Sequence, residues 1–197
     1  VIGRLRAAGF TAFRVGGCVR DRLLGRSPGD VDVATDAVPA AVRGLFPHAF
    51  AVGESFGVII VHAAEGTDIE VATFRAEAGY ADGRHPDHVR FSTPDEDARR
   101  RDFTVNALFY DPCGRRILDF VGGLADLRRG VIRAIGDPAA RFAEDHLRML
   151  RAVRFAARFG YEIEKETLDA MRETAPHIHE TSAERIRDEL VKMLTEG

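Results

Sequence analysis

The chain has 197 residues, 45% apolar and 30% charged, with a formal net charge of −3. That length suits one large domain or two small ones around a real core, and the near-neutral charge excludes a generally basic nucleic-acid binder, so any RNA contact must come from local patches. No apolar run is long enough to span a bilayer and no charged-then-apolar signal segment opens the chain, so no membrane partner and a cytoplasmic location are expected. The first residue is Val1 rather than Met, so a few leading residues are expected to be missing. The two cysteines, Cys18 and Cys113, are far apart and lack metal-ligand spacing; both are expected to be reduced and buried.

Ala12 to Val15 reads as a strand that breaks at Gly16-Gly17 into a short helix carrying Val19, Leu23 and Leu24. Glycines at such a break let backbone approach a ligand, and the helix start behind them offers N–H groups to an anion. Arg20 adds a positive charge one turn in. Asp30-Val31-Asp32-Val33 then alternates, which on a strand sends both carboxylates to one face and the valines to the other. Two hard oxygen donors beside a phosphate-sized cradle suit Mg2+ and phosphoryl or nucleotidyl transfer. A glycine pair alone is commonly a turn, and an isolated Asp-x-Asp a solvated edge. Their order within one strand–turn–helix–strand unit is far more specific.

Pro39 to Phe46 predicts a short helix. Phe56 to Val61 predicts a buried strand and Asp68 to Phe74 an alternating one, joined as a hairpin through Glu65-Gly66. Glu70 shares a face with Ala72 and Phe74; it is either a third acidic ligand beside the aspartates or a solvated carboxylate. Arg75 to Val89 is polar and aperiodic, and reads as a mobile lid. Thr93-Pro94-Asp95-Glu96 has the chemistry of a helix start. It leads into Arg99-Arg100-Arg101-Asp102-Phe103-Thr104-Val105-Asn106, where Asp102 and Asn106, four apart, are expected on one helical face as a sugar-recognition pair. Gly122-Gly123 marks a turn and Val131 to Ile135 a last strand.

From Asp137-Pro138 onward the pattern is helical, which places the domain boundary at 135/136. A helix over Ala139 to Phe159 is expected to carry Asp145, Arg148, Arg151, Arg154 and Arg158 within half its circumference, with Met149, Leu150, Val153, Ala156 and Ala157 packed inward. A second helix runs from Ser182 to Leu194 with Ile186, Leu190, Val191 and Leu194 at helical spacing. Arginines alone would read as a solvent face, but Asp145 beside Arg148 forms a donor-and-acceptor fork. Cytosine and adenine each present an amino donor next to a ring-nitrogen acceptor, and uracil and guanine present the reverse. A carboxylate with a guanidinium therefore selects C and A together. Arg151 and Arg154 suit triphosphate oxygens.

These motifs resemble the class II tRNA nucleotidyltransferase and bacterial poly(A) polymerase family, over essentially the whole chain. The likeness is carried by Gly16-Gly17-Cys18-Val19-Arg20-Asp21 with Asp30-Val31-Asp32, by Glu70-Val71-Ala72-Thr73-Phe74-Arg75, and by Asp82-Gly83-Arg84-His85-Pro86. Further on it rests on Arg100-Arg101-Asp102-Phe103-Thr104-Val105-Asn106-Ala107, on Glu144 to Phe155, and on Glu184-Arg185-Ile186. The resemblance implies an α+β fold: a nucleotidyltransferase head of mixed β-sheet and flanking helices over residues 1–135, then an all-helical neck over 136–197. It implies Mg2+ on Asp30 and Asp32, triphosphate contacts from Gly17 and Arg20, nucleotide and ribose contacts from Arg101 and Asp102, and base templating by Asp145 and Arg148. The implied partners are CTP, ATP and the 3′ end of tRNA. The implied reaction is CCA addition, with terminal-A addition or poly(A) synthesis as family alternatives. Members continue beyond the neck into helical regions that grip tRNA, which leaves an inactive nucleotide- or RNA-binding module as a further alternative.

Overall fold

In a computed structural model, which describes residues 1–53, 57–62, 66–78 and 88–195, the chain forms two units. The first takes in residues 1–76, 89–100 and 106–120, and the second residues 77–88, 101–105 and 121–197. The fold is α+β.

The first unit runs Ile2–Ala7 (α1), Ala12–Val15 (β1), Gly17–Leu23 (α2), Asp32–Thr35 (β2), Pro39–Leu45 (α3), Ala49–Gly53 (β3), Val58–His62 (β4) and Asp68–Thr73 (β5). Arg75–Ala78 (β6) and His88–Phe91 (β7) pair as a small separate sheet, followed by Pro94–Arg99 (α4), Leu108–Asp111 (β8) and Arg116–Asp119 (β9). The main sheet has seven strands in the order β3-β4-β5-β2-β1-β8-β9. Its pairs are antiparallel except β2 with β5, which the crossover through α3 makes parallel.

Strand alternation divides this sheet into two faces. Ala12, Val33, Ile59, Val61 and Val71 meet Leu5 of α1 and Val42 and Phe46 of the α3 region in one fully buried core. Truncating a side chain such as Ile59 to alanine there costs about 2–5 kcal/mol. The opposite face carries Phe13, whose ring packs against Phe74 and Phe109 with centroids 6.1 and 6.3 Å away. It also carries Asp32 and Glu70, which are register partners across the parallel pair.

The second unit runs Gly123–Arg129 (α5), Val131–Ile132 (β10), Pro138–Glu144 (α6), Leu147–Phe159 (α7), Glu162–Ile163 (β11), Lys165–Thr174 (α8) and Ala183–Thr195 (α9). Several expectations change here. The helix foreseen over 139–159 is two, because Asp145 is extended at φ −156°, ψ 103°. The last strand is limited to Val131–Ile132 and pairs in parallel with β11, so the helical region is not purely helical. Packing also draws residues 121–135 to the helices: the Tyr161 hydroxyl donates to the Leu127 carbonyl at 3.0 Å, and the Ala134 N–H donates to Thr167 Oγ1 at 3.1 Å. The packing division at 120/121 therefore precedes the boundary placed at 135/136.

The local start signals hold. Thr93 Oγ1 accepts from the Glu96 N–H to cap α4, and Asp137 accepts from the Ala139 N–H to cap α6 ahead of Pro138. Helix α9 turns differently from its pattern: Glu189 is buried, whereas Leu190, Val191 and Leu194 are exposed, Leu194 at 87%. The polar stretch foreseen as a lid is bordered by β6 and β7, and its Asp82-to-Pro86 motif lies outside the described residues, as do Phe56 and Glu65. Cys18 is buried as expected, and burial pushes its thiol pKa up, but Cys113 is exposed; both are free. Among the described residues no helix is long and apolar enough to cross a membrane.

Candidate functional site

The glycine break follows β1 directly. Gly16 sits at φ 72°, ψ −138°, a conformation essentially confined to glycine, and its N–H donates to the Leu108 carbonyl at 3.1 Å. One turn into α2, Arg20 is only 3% exposed. Its Nε donates to Asp21 Oδ1 at 2.8 Å, Nη2 lies 2.7 Å from the same oxygen, and Nη1 donates to Asn106 Oδ1. A Cβ added to Gly17 would stand 3.5 Å from Arg20 Nη2, so the guanidinium lies directly behind the glycine turn. Arg20 and Asn106, foreseen separately, are thus one hydrogen-bonded pair.

Asp32 begins β2 opposite Val15, the last residue of β1, so the acidic edge and the glycine turn start side by side. Asp30 is not on the strand: it lies exposed in the bend before it, and the shared strand face foreseen for Asp30 and Asp32 is corrected to a bend residue followed by a strand residue. The shared face instead joins Asp32 to Glu70, its in-register neighbour on β5. Among the described residues no group of three or more His, Cys, Asp or Glu side chains is arranged to hold a metal. One or two carboxylates completed by water and substrate phosphates is the usual way Mg2+ is held, and the all-oxygen donor chemistry of Asp30, Asp32 and Glu70 fits that ion.

The remaining candidates lie in the second unit. Residues 101–106 are not a continuous helix: Phe103 bridges to Ala134, and a 3-10 turn covers Thr104–Asn106. The helical face foreseen for Asp102 with Asn106 therefore does not exist. Asp102 Oδ1 accepts from the Phe103 N–H at 2.7 Å, and Oδ2 accepts from Arg151 Nε and Nη2 at 2.9 and 2.7 Å. The Asp102 carboxylate in turn raises the Arg151 pKa.

Asp145, in the break between α6 and α7, accepts from the Leu147 N–H at 3.1 Å and so starts α7. Its two oxygens also accept from Arg185 of α9, at 3.1 and 2.8 Å. Arg148 Nη1 donates to Glu144 Oε2 at 2.6 Å and to the Arg141 carbonyl at 2.9 Å. Arg154 Nε donates to Glu189 Oε1 at 2.6 Å, both side chains being buried. The arginine stripe is therefore no solvent face: Arg148 and Arg154 point inward while Val153 and Ala157 are exposed. Carboxylate partners explain the inversion, since buried guanidinium is tolerated when paired. Sequence reasoning missed Glu189 altogether and, although Glu144 and Arg185 stand in the quoted motifs, gave neither a partner. The i,i+4 spacing of Glu144 and Arg148 was a usable signal.

Residues 12–133 match the family model described as the poly A polymerase head domain. The chain belongs to that poly A polymerase head-domain family. Residues 160–197 match a second model, the probable RNA and SrmB-binding site of polymerase A. Curated relatives named CCA-adding enzyme include those of Leuconostoc mesenteroides, 45% identical over 195 residues, and Lactobacillus helveticus, 46% identical over 194, each alignment covering 98% of this chain and 48% of the relative. Among solved structures, the Bacillus stearothermophilus CCA-adding enzyme in complex with CTP superposes with a TM-score of 0.88 at 42% identity, covering 98% of this chain and 46% of that one. The Thermotoga maritima CCA-adding enzyme complexed with tRNA does so with a TM-score of 0.81 at 30% identity, covering 98% and 45%. This head-domain chain spans about half the length of the relatives it matches.

Proposed function

We propose that the chain is the head and neck of a template-independent nucleotidyltransferase that adds C and A to the 3′ end of tRNA. The observation that carries this reading is the acidic pair Asp32–Glu70 set beside the Gly16-Gly17 turn and its buried Arg20. Relatives named for CCA addition support it. In this reading residues 1–135 are the catalytic head and 136–197 the neck, and the protein works in the cytoplasm.

The RNA 3′-hydroxyl attacks the α-phosphate of CTP or ATP, the bond to the bridging oxygen breaks, and pyrophosphate leaves. Asp30 and Asp32, with Glu70 as a further donor, would hold Mg2+, which supplies Lewis-acid activation of the attacking oxygen and neutralises phosphate charge. Gly16 and Gly17 let the triphosphate approach backbone, and Arg20 adds a preorganised positive charge behind them. Arg101 and Asp102 serve the nucleotide and its ribose, with Asn106 supporting through Arg20. Asp145 and Arg148 read the amino group and ring nitrogen of C or A, and Arg151 serves the triphosphate, while Arg154, foreseen in the same role, is buried against Glu189 instead.

The test is incubation with Mg2+ and tRNAs ending before CCA, after C and after CC, each with one labelled nucleotide. Stepwise C, C and A followed by a stop establishes CCA addition. Addition of A to the CC-ended tRNA alone points to an A-adding enzyme, and long A tails to a poly(A) polymerase. Asp30→Ala and Asp32→Ala should each lower transfer by a factor on the order of 10³ or more with the fold retained. Wild-type rates in either variant would sink the metal assignment.

A further inference from the structure

Three imidazoles form a ladder in the second unit. His146, at the start of α7, stacks on His177 with centroids 5.9 Å apart and planes 23° from parallel. His177 continues to His179 at 6.5 Å and 21°. His177 and His179 belong to the 3-10 turn Ala175–Glu180 between α8 and α9, and both are exposed. Their Nδ1 atoms are fixed, His177 on Glu180 Oε1 at 2.7 Å and His179 donating to the Pro176 carbonyl at 2.7 Å. The rings are therefore held in one orientation.

We propose that the His177–His179 end of this ladder is a stacking platform for the bases of single-stranded RNA. Parallel, oriented, solvent-facing aromatic planes are what unpaired bases stack on. The surrounding charges favour bases over phosphates. Glu180 stays ionised beside His177, whose hydrogen bond holds its carboxyl pKa down, and exposed Arg172 and Arg187 are paired with Asp169 and Asp188. His177 and His179 lie within the stretch matched by the RNA-binding model, and the inner ring, His146, directly follows Asp145, the residue proposed to read the incoming base. The platform would thus grip the RNA end near the base-reading residue; this part of the inference rests on the proposed function.

The test measures affinity for a fluorescein-labelled RNA hexamer ending in a single C, the acceptor for the second C of CCA, with wild type, His177→Ala/His179→Ala and His177→Phe/His179→Phe. The alanine pair should weaken RNA binding about tenfold or more, and the phenylalanine pair, which keeps the planes, should stay within about threefold of wild type, with CTP affinity unchanged in both. Alanine values within about twofold of wild type, phenylalanine values as weak as alanine, or no RNA binding by wild type would each overturn the platform. Single-turnover CTP transfer is read in parallel. A wild type that shows the expected binding pattern without transferring CTP overturns the function and leaves the platform standing. One that transfers CTP while the alanine pair binds normally overturns the platform alone.

Discussion

Arg185 holds Asp145 with both arms of its guanidinium, Nη1 to Oδ1 at 3.1 Å and Nη2 to Oδ2 at 2.8 Å. A bidentate pair fixes the plane of the carboxylate as well as its position. Asp145 Oδ1 also accepts from the Leu147 N–H, so this one side chain starts α7 and is oriented by α9. The residue proposed to accept from the amino group of C or A is therefore aimed by a partner forty positions away in sequence.

Removing that partner should loosen base choice. Arg185→Ala is expected to lower CTP and ATP incorporation about ten- to a hundredfold and to narrow their advantage over UTP. Arg185→Lys should restore little, because an ammonium cannot make the paired contact. Single-turnover incorporation of each nucleotide decides it. An unchanged C-and-A preference in Arg185→Ala would detach this pair from base reading.

The Arg154–Glu189 ion pair ties α7 to α9 with both side chains buried, 7% and 3% exposed. Breaking it from one side strands a buried charge, so Glu189→Leu and Arg154→Met should each destabilise by about 3–5 kcal/mol. Arg154→Met with Glu189→Leu should cost much less than the two single changes together. Urea unfolding of the three variants measures this, and simple additivity would argue against coupling.

Much of the architecture is written in local chemistry. Thr93-Pro94 and Asp137-Pro138 announce helix starts that the structure realises through their own side chains. The alternation in β5 and the glycine break after β1 are equally plain. What escapes is whatever depends on a distant partner. No glycine or proline marks the break at Asp145, because its causes are a cap on Leu147 and a grip from Arg185. Arg148 and Arg154 read as an outward face of ligand-binding arginines until Glu144 and Glu189 are seen beside them. The same Glu189 contact fixes which side of α9 turns inward, leaving Leu190, Val191 and Leu194 outside against their apolar character. Asp102 and Asn106 were parted by a bridge at Phe103 that pairs residues far apart in the chain.

Gly16 gives a sharp contrast with its neighbour. At φ 72°, ψ −138° an alanine is strained, and Gly16→Ala should destabilise by about 1–3 kcal/mol. The added Cβ of Gly17→Ala meets Arg20 Nη2 at an ordinary 3.5 Å, so that variant should fold nearly as well as wild type. Thermal or urea unfolding separates the two.

Acid sensitivity should trace to specific carboxylates. N–H donation from Gly114, helped by Cys113, Arg6 and Arg116, holds the Asp111 pKa down against its partial burial. At Glu164 burial pushes upward but is outweighed by the Thr167 N–H and hydroxyl and by Arg133. A carboxylate depressed on folding contributes stability that is present above its unfolded pKa, about 4, and lost as pH falls through its folded value. Stability should therefore decline below about pH 4. Asp111→Asn and Glu164→Gln should each flatten that decline while lowering stability at neutral pH. Urea midpoints across pH 2.5–7, an estimated working range, give the slopes directly.

Parallel pairing of β2 with β5 also dictates when the acidic edge comes into being. Asp32 and Glu70 are not joined by a hairpin; helix α3 and strands β3 and β4 lie between them in the chain. Contacts of that kind pay their loop-closure entropy early and are rewarded late, which places them among the last to form. A newly made or partly unfolded chain thus keeps these acidic groups dispersed, and tight uptake of a divalent ion would report that the sheet has closed.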